Sequence, residues 1–431
     1  MKSTHRSVVV ICDSLRRDLI DQDSAPAIHA LAQHGTCYAN ARSVFPSTTR
    51  VSSASIATGC LPARHGLLGN RMLLEEDGGL VSHDVGAPAF RDHLFKTTGR
   101  TLLVPTLAER VREHGGACIM SNVSPGAAYF HDPDGHGHVL HRAGSFGPGR
   151  ERLSGGRGLD IPSGAHGDRL MTQRFCALIE SENAPAVATL WLSEPDHSGH
   201  REPLGSPAHR AAIAHADACV NAVWRSVRRL REAGVDVLLL VGSDHGMETV
   251  IGEVDVAAEL RRAGLIGNAD GTSVAVAANG SACVLGLAQA GRARAAEIAG
   301  YLSRQPWCGT VHRGDALADV GLPESAACTL AISLRHSDAP NGHGVPGSTW
   351  IAIDTDDGKH YLGAGQHGGL GRYEQSPFLI ACGGGYPAGA VASQPVGLID
   401  YAPTILRHLG LPHDGMDGSP LPLPLVNEAA A

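Results

Sequence analysis

Six side chains scattered along the sequence have the types that hold a divalent metal: Asp13, Asp196, His200, Asp244, His245 and His367. Asp196 and His200, in SEPDHSGH, stand four apart. That spacing puts both on one face of a helical turn, and a loop would still let them chelate one ion. Gly199, just before His200, reads as backbone shaped to aim the ring, with His197 as a competing ligand. Asp244 and His245 are adjacent in SDHGM, where an apolar run ends; a buried charge there needs a partner, and a cation supplies one. His367, in GAGQHGG, is one of 24 histidines. Taken singly, each residue has a plainer reading as a cap, a salt bridge or a surface imidazole. The conjunction argues for a site, because carboxylate oxygen and imidazole nitrogen together suit zinc or another divalent transition metal.

The segment SVFPSTTRVSSASIATGCLPARHG offers nucleophiles. Ser47, Thr48 and Thr49 are N-cap types ahead of a helix expected over roughly 50–58 and ended by Gly59. Free N–H groups and the positive dipole end make such a place a seat for a phosphoryl or sulfuryl anion. A hydroxyl there, beside a divalent metal, can lose its proton near neutral pH. The residue types alone do not choose among the three, and a simple cap is the competing reading. Cys60-Leu61-Pro62-Ala63-Arg64 matches the string that sulfatases convert to formylglycine, but Cys60 follows Gly59 at the helix's C-terminal end, where the dipole repels an anion. HDPDGHGHVLH (131–141) could bind metal by composition and reads better as a solvated lid.

The elements that must bring these residues together are apolar runs: VVVIC before Asp13, VATLWL before Asp196 and VLLLV before Asp244. Each reads as a buried parallel strand, and in open parallel sheets the carboxyl ends of strands face one ligand-binding crevice. A second short strand is expected to end near Phe45-Pro46. Helices are expected near 26–34, over 105–115, over 167–183 and from Pro207 to Ala233. Alternation of this kind predicts a doubly wound, mostly parallel α/β sheet. Residues 125–166, rich in Gly, His, Pro and Arg, are expected to form a lid loop, and 251–344 an inserted small α+β cap. The core is then 1–250 with 345–431.

The bulk properties narrow the class. With 431 residues, 43% hydrophobic, the chain can bury one large core or two ordinary ones. A net charge of −8 and pI near 6.3 speak against a nucleic-acid polymer or an anionic membrane as partner. The first apolar run is too short for a signal segment, and no run approaches a membrane span. Ten cysteines without a C-x-x-C pair are expected to be free thiols in a reducing cytoplasm. The oligomeric state is open, a homodimer being one option.

In order along the whole chain, the strand with Asp13, FPSTTR…ATGCLPARHG, SEPDHSGH, SDHGM, the QHGG loop and DYAPTILRHLGLP resemble the alkaline phosphatase superfamily. The closest likeness is to its nucleotide pyrophosphatase/phosphodiesterase branch, which has phosphonoacetate hydrolases as relatives. Setting Phe45-Pro46 and Thr58-Gly59 on that branch's pattern, FPTxTFPNHYxxxTGxYPxxHG, implies Thr49 as nucleophile. The resemblance also implies an alkaline phosphatase-like core and two zinc ions, with manganese or iron as alternatives. One ion would be held by Asp196, His200 and His367. The other would be held by Asp13, Asp244, His245 and the Thr49 oxygen. The implied reaction is metal-dependent hydrolysis of a phosphoric ester or anhydride in a small substrate, through a phospho-threonine. Two positions depart from the pattern: its asparagine falls at Ser52, and the aromatic residue after the nucleophile is Arg50. Arg50 could bind a second phosphate or a carboxylate, or instead pair with a neighbouring acid. These changes keep open a phosphonate hydrolase or phosphomonoesterase on a small anionic substrate, and a phosphomutase. A metal-binding module without catalysis is the rival of another class.

Overall fold

The computed structural model describes residues 5–266, 273–289, 291–354 and 358–424. A ten-stranded sheet runs through the core, and five neighbouring strands in it are parallel. In spatial order these are Asp236–Gly242, His5–Cys12, Val187–Leu192, Ala117–Ser121 and His138–His141. The first strand is central: Val9 pairs with Thr189 on one side and Leu240 on the other. Its residues are apolar on both faces because both faces are covered. Val8, Val10 and Cys12 pack on the layer of helices Pro26–Ala32, Gly164–Glu180 and Pro207–Glu232. Val9 and Ile11 pack on the layer of Thr49–Thr58, Pro125–His131 and Tyr401–His408. The strand Leu379–Cys382 joins antiparallel beside Asp236–Gly242, so the sheet is mixed at that edge.

Several expectations change. The short strand expected to end at Phe45-Pro46 is instead two pieces, Thr36–Tyr38 and Ala41–Arg42, and the Phe45-Pro46 peptide is cis and outside any strand. The helix expected over 105–115 is only Leu107–Val111, because Thr106 is its cap and accepts a hydrogen bond from the Glu109 N–H at 3.3 Å. Residues 125–166 are not a loop. They hold the helix Pro125–His131 and the strands His138–His141, Ser145–Phe146 and Arg152–Leu153, which extend the main sheet. Glycine and histidine density hid the short apolar pieces, Val139 and Leu140 among them, that dock at the sheet edge. Within 131–141, His131 and His141 are buried rather than solvated.

A separate antiparallel sheet comprises Val274–Asn279, Ala282–Leu287, Leu330–Leu334 and Cys308–Arg313. It shares a core with the helices Val256–Arg262 and Ala295–Leu302. The hairpin Arg71–Glu76 with Gly79–Asp84, which the sequence did not signal, stands beside the helix Thr49–Thr58 in space. All ten cysteines are free thiols. Among the described residues no helix is long and apolar enough to cross a membrane.

Candidate metal and phosphoryl site

Three strands of the parallel block end at one crevice. Cys12 leads directly into Asp13, Leu192 leads through Ser193-Glu194-Pro195 to Asp196, and Gly242 leads through Ser243 to Asp244. The strand ends are tied together: Asp13 donates its N–H to Leu192 O, and Asp196 donates its N–H to Asp13 O at 3.2 Å. The buried Asp168 carboxylate holds the turn before Asp196, accepting from the N–H groups of Ser193 and Glu194 at 2.9 and 3.0 Å. Asp196–Gly199 is one helical turn with His200 at its end, so the four-residue spacing brings both side chains together, with Asp196 Oδ1 and His200 Nε2 3.3 Å apart. A Cβ on Gly199 would lie 2.6 Å from Met247 Sδ, so a larger residue there would require the Met247 side chain to shift.

Two sets of ligand-type atoms result, each within 4.8 Å of one another: Asp196, His200 and His367 in one, and Asp13, Asp244 and His245 in the other. All six sequence candidates are therefore in one place, the second set wholly buried. The sets adjoin, for the His245 and His367 rings stack with centroids 3.7 Å apart.

The hydrogen bonds around the sets hold each ring from behind and turn its other nitrogen inward. His367 Nδ1 faces Ser47 O at 2.7 Å, His200 Nδ1 faces Gly365 O at 3.1 Å, and His245 Nδ1 faces Gly246 O at 3.1 Å. A carbonyl only accepts, so each Nδ1 carries a proton and each Nε2 is the ring nitrogen left for a cation when the imidazole is neutral. The carboxylates are divided in the same way. Asp13 Oδ2 accepts from Trp191 Nε1 at 3.1 Å, and Asp244 Oδ1 accepts from the Ser14 N–H at 3.2 Å. Asp13 Oδ1 and Asp244 Oδ2 are buried and have no hydrogen-bond partner. Those two oxygens lie 3.7 and 2.9 Å from His245 Nε2. An imidazole nitrogen facing buried carboxylate oxygens needs a proton or a cation between them; against burial, which lowers it, the charges of Asp244 and Asp196 hold the His245 imidazole above its usual value, and the same donor set fits a divalent metal. Burial, then the charges of Asp244 and Asp196, hold the Asp13 carboxyl well above the usual range. Burial, then His245, holds His367 well below the usual imidazole value.

Thr49 begins the helix Thr49–Thr58, and its Oγ1 lies 3.2 Å from His245 Nε2. Of the three hydroxyls in the triplet, Thr49 is the one that lines the cavity over the two sets, a space of about 270 Å3. Ser47 Oγ instead donates to Gly369 O, and Thr48 Oγ1 is buried. Arg50 lines the cavity but is pinned: Nε donates to Ser124 Oγ at 2.8 Å, Nη1 donates to Asn70 O at 2.8 Å, and Asp84 Oδ1 is 3.1 Å from Nη1. The neighbouring acid that competes with the substrate-binding reading of Arg50 is thus present. Ser52 is fully buried and does not line the cavity. Cys60 is buried just past the C-terminal end of the same helix, away from the N-terminal anion seat.

Sequence reasoning missed two residues. Asn70 lines the cavity, and its Oδ1 accepts from the Arg50 N–H at 3.3 Å. That bond fixes the amide's orientation and leaves Nδ2, a donor, on the other side. Ser14, at φ 62°, donates through Oγ to Asp196 Oδ1 at 2.7 Å and stands 3.1 Å from His245 Nδ1, linking the two sets. No short motif marks either. The only local signal for Asn70 was its place in LLGNR, between a helical stretch and an alternating strand.

A doubly wound sheet with two sets of ligand-type side chains at its carboxyl edge, and a hydroxyl at a helix N-terminus beside the deeper set, is an architecture of the alkaline phosphatase type. Residues 7–368 match the type I phosphodiesterase/nucleotide pyrophosphatase family, and the chain belongs to that family of hydrolases, within the alkaline phosphatase superfamily. It is similar to ectonucleotide pyrophosphatase/phosphodiesterase family member 1 of Rattus norvegicus, 27% identical over 233 residues. That match takes in 52% of this chain but only 22% of the rat protein's length. Among solved structures the fold is similar to murine ectonucleotide pyrophosphatase/phosphodiesterase 5, in an inactive threonine-to-alanine variant bound to AMP, with TM-score 0.66 at 17% identity over 95% of this chain and 97% of that one. The human counterpart gives TM-score 0.65 at 16% identity over 96% and 97%.

Proposed function

We propose that this chain is a di-metal phosphoryl hydrolase of the phosphodiesterase/nucleotide pyrophosphatase type, with Thr49 as nucleophile. The observation that carries the reading is the convergence of three imidazoles, each holding a backbone carbonyl through Nδ1 and turning Nε2 inward, with two buried carboxylate oxygens that no hydrogen-bond donor takes, beside the Thr49 hydroxyl. Asp196, His200 and His367 would hold one cation, and Asp13, Asp244, His245 and Thr49 Oγ1 the other. Three carboxylates and a threonine alkoxide balance two divalent charges, and the oxygen and nitrogen ligands suit zinc, with manganese or iron as alternatives. Two such cations, when bound, stabilise the attacking and leaving oxygens of an in-line displacement.

The chain's own residues supply the rest. Thr49 Oγ1, its proton given up to solvent, forms a bond to phosphorus as the leaving oxygen departs from the opposite side and takes up a proton. Water then displaces Oγ1, releases phosphate product and restores the hydroxyl. Asn70 Nδ2 and the positive end of the helix Thr49–Thr58 meet the charge on the phosphoryl oxygens. The AMP bound to the murine relative's inactive threonine-to-alanine variant supports a phosphorylated small molecule and a threonine at the centre.

A specific observation favours a second reading for the substrate. The residues lining the cavity include no Phe, Tyr or Trp, while Arg142, exposed at its rim, adds a positive charge. A compact substrate with a second anionic group, such as a phosphonate or a monoester, fits that lining better than a stacked base. Turnover of bis-p-nitrophenyl phosphate, p-nitrophenyl phosphate and phosphonoacetate separates the readings. Dominant monoester or phosphonate turnover displaces the diesterase preference, and phosphate transfer to a sugar identifies a mutase. Full activity of Thr49→Ala on every substrate removes Thr49 from its role.

A further inference from the structure

Hairpin tips ordinarily face solvent. The tip joining Val274–Asn279 to Ala282–Leu287 does not: Asn279 is 2% exposed and Ser281 0%. Asn279 pairs with Ala282, which leaves a two-residue turn, and Gly280 takes its first position at φ 65°. Glycine suits a position of this kind. The tip is wedged between two chain segments that each supply a residue to the cavity, Asn70 on one and His367 on the other.

Towards one side, Asn279 grips the segment that carries Asn70. Its Oδ1 accepts from the Arg71 N–H at 2.9 Å, and its Nδ2 donates to Arg71 O at 3.1 Å. A Cβ on Gly69 would lie 2.5 Å from Asn279 Oδ1, so the amide rests directly against the backbone before Asn70. Towards the other side, Gly280 and Ser281 grip the loop that carries His367. Ser281 donates its N–H to His367 O at 3.1 Å. Ser281 Oγ accepts from the Gly369 N–H at 2.8 Å and donates to the buried Glu374 carboxylate at 2.5 Å. Glu374 in turn accepts from the N–H groups of Gly369 and Gly371, both at 2.9 Å. The fit is backbone on backbone: a Cβ on Gly280 would lie 2.0 Å from His367 O, and one on Gly368 1.9 Å from Asn279 O.

We infer that this hairpin tip is a positioning clamp, in which Asn279 sets the Asn70 amide and Ser281 sets the His367 ring, so that the phosphoryl contact and one cation set are held in register by a single rigid turn. A side-chain amide that satisfies both the N–H and the C=O of one residue fixes the two peptide planes that flank it, which an alkyl group cannot do. Asn279 and Ser281 neither line the cavity nor belong to the two ligand sets. They are positioning residues.

The inference rests on the phosphoryl-transfer reading, and the test keeps the two apart. Steady-state kinetics on zinc-loaded protein with p-nitrophenyl phosphate esters would compare wild type, Asn279→Ala, Asn70→Ala and the double variant. Asn279→Ala is expected to lower kcat about 10- to 100-fold, the scale of a ~1 Å displacement at a reacting centre. In the Asn70→Ala background the same change is expected to cost less than about threefold, because it acts through Asn70. Multiplying losses in the double variant, or an unchanged kcat in Asn279→Ala, overturns the Asn70 arm. The inhibition constant for vanadate reads only folded enzyme, so it is expected to rise in Asn279→Ala; a fall in kcat with that constant unchanged marks partial unfolding and also overturns the arm. Should Asn279→Ala fail to fold, Asn279→Asp keeps an acceptor for the Arg71 N–H, loses the donor to Arg71 O, and is expected to show the same non-additivity. For the other arm, Ser281→Ala is expected to weaken zinc binding at one site about 10-fold or more in a competitive chelator titration, and unchanged affinity overturns it. If Thr49→Ala keeps full activity, the nucleophile assignment fails, while the coupling between Asn279 and Asn70 is still read from the same rate ratios.

Discussion

Each imidazole of the candidate site spends its Nδ1 proton on a backbone carbonyl, and each buried carboxylate of the deeper set spends one oxygen on a protein donor. What remains is a shell of lone pairs that only a cation or protons can satisfy. Replacing Asp244 by Asn would keep an acceptor for the Ser14 N–H and remove the charge. Metal analysis of purified Asp244→Asn is expected to find about half the bound ion, with activity down by at least ~10²-fold; full occupancy would contradict the ligand role. Ser52 and Asn70 give a paired prediction. Ser52→Ala is expected to leave kcat/KM within about twofold, since Ser52 lies off the cavity, whereas Asn70→Ala is expected to lower kcat by about 10²-fold, the usual loss for one phosphoryl or oxyanion donor. The reverse pattern in the same assay would restore Ser52 to the role implied by family resemblance.

Titration at single residues also shapes acid stability. Burial pushes the His65 imidazole down to about 3, and its Nδ1 must stay unprotonated to accept from the Leu67 N–H at 3.1 Å. Burial likewise lowers His131 and His141 to about 4. A base whose folded pKa lies below its unfolded value binds more protons when unfolded. The stability linked to it is complete above about pH 6.5 and drains away as the pH falls towards those folded values. Calorimetry on metal-loaded protein is expected to show Tm falling from pH 6.5 downward, with a shallower slope in His65→Gln. Parallel slopes would remove His65 from the account.

At the scale of elements, the helix Thr49–Thr58 does two jobs. It presents Thr49 at the positive end of its dipole, and it anchors Arg50, which pins Asn70 and Ser124 beside the same cavity. The hairpin tip at Gly280 joins that side to the His367 loop. Gly280→Ala would strain a left-handed position and drive a methyl into His367 O, so the backbone must give way. The expected outcome is a destabilisation of about 2 kcal/mol or more together with weaker zinc retention, read by urea unfolding and metal analysis. A variant as stable and as well metallated as wild type would show that the two segments are not rigidly coupled.

At the scale of the whole molecule, the site is the meeting point of chain separated by most of the sequence, from Asp13 to His367. Ions bound only by the folded chain stabilise it by mass action, about 4 kcal/mol per site at a thousandfold excess over Kd. Chelation is expected to lower Tm by several degrees and zinc to restore it, both visible by scanning calorimetry. A Tm indifferent to chelator would argue that the carboxylates are satisfied by protons instead.

The sequence alone determined the central strands and the six ligand-type residues. Fully apolar runs such as VVVIC are diagnostic of a sheet covered on both faces, and a carboxylate or imidazole just past such a run has one crevice to enter. The helix after Phe45-Pro46 was legible in the same way, from its cap-type triplet and its terminal Gly59. Only the tertiary structure decided that Thr49, rather than Ser47 or Thr48, lines the cavity, that Asn70 lines it while Ser52 lies off it, and that Arg50 is tied to Asp84. It also turned the supposed lid into the edge of the main sheet. The physical reason is common to all four. Strand burial and helix periodicity are local properties written into neighbouring residues, whereas the direction of a side chain across a cavity is set by hydrogen bonds and close backbone contacts between segments that meet only after folding.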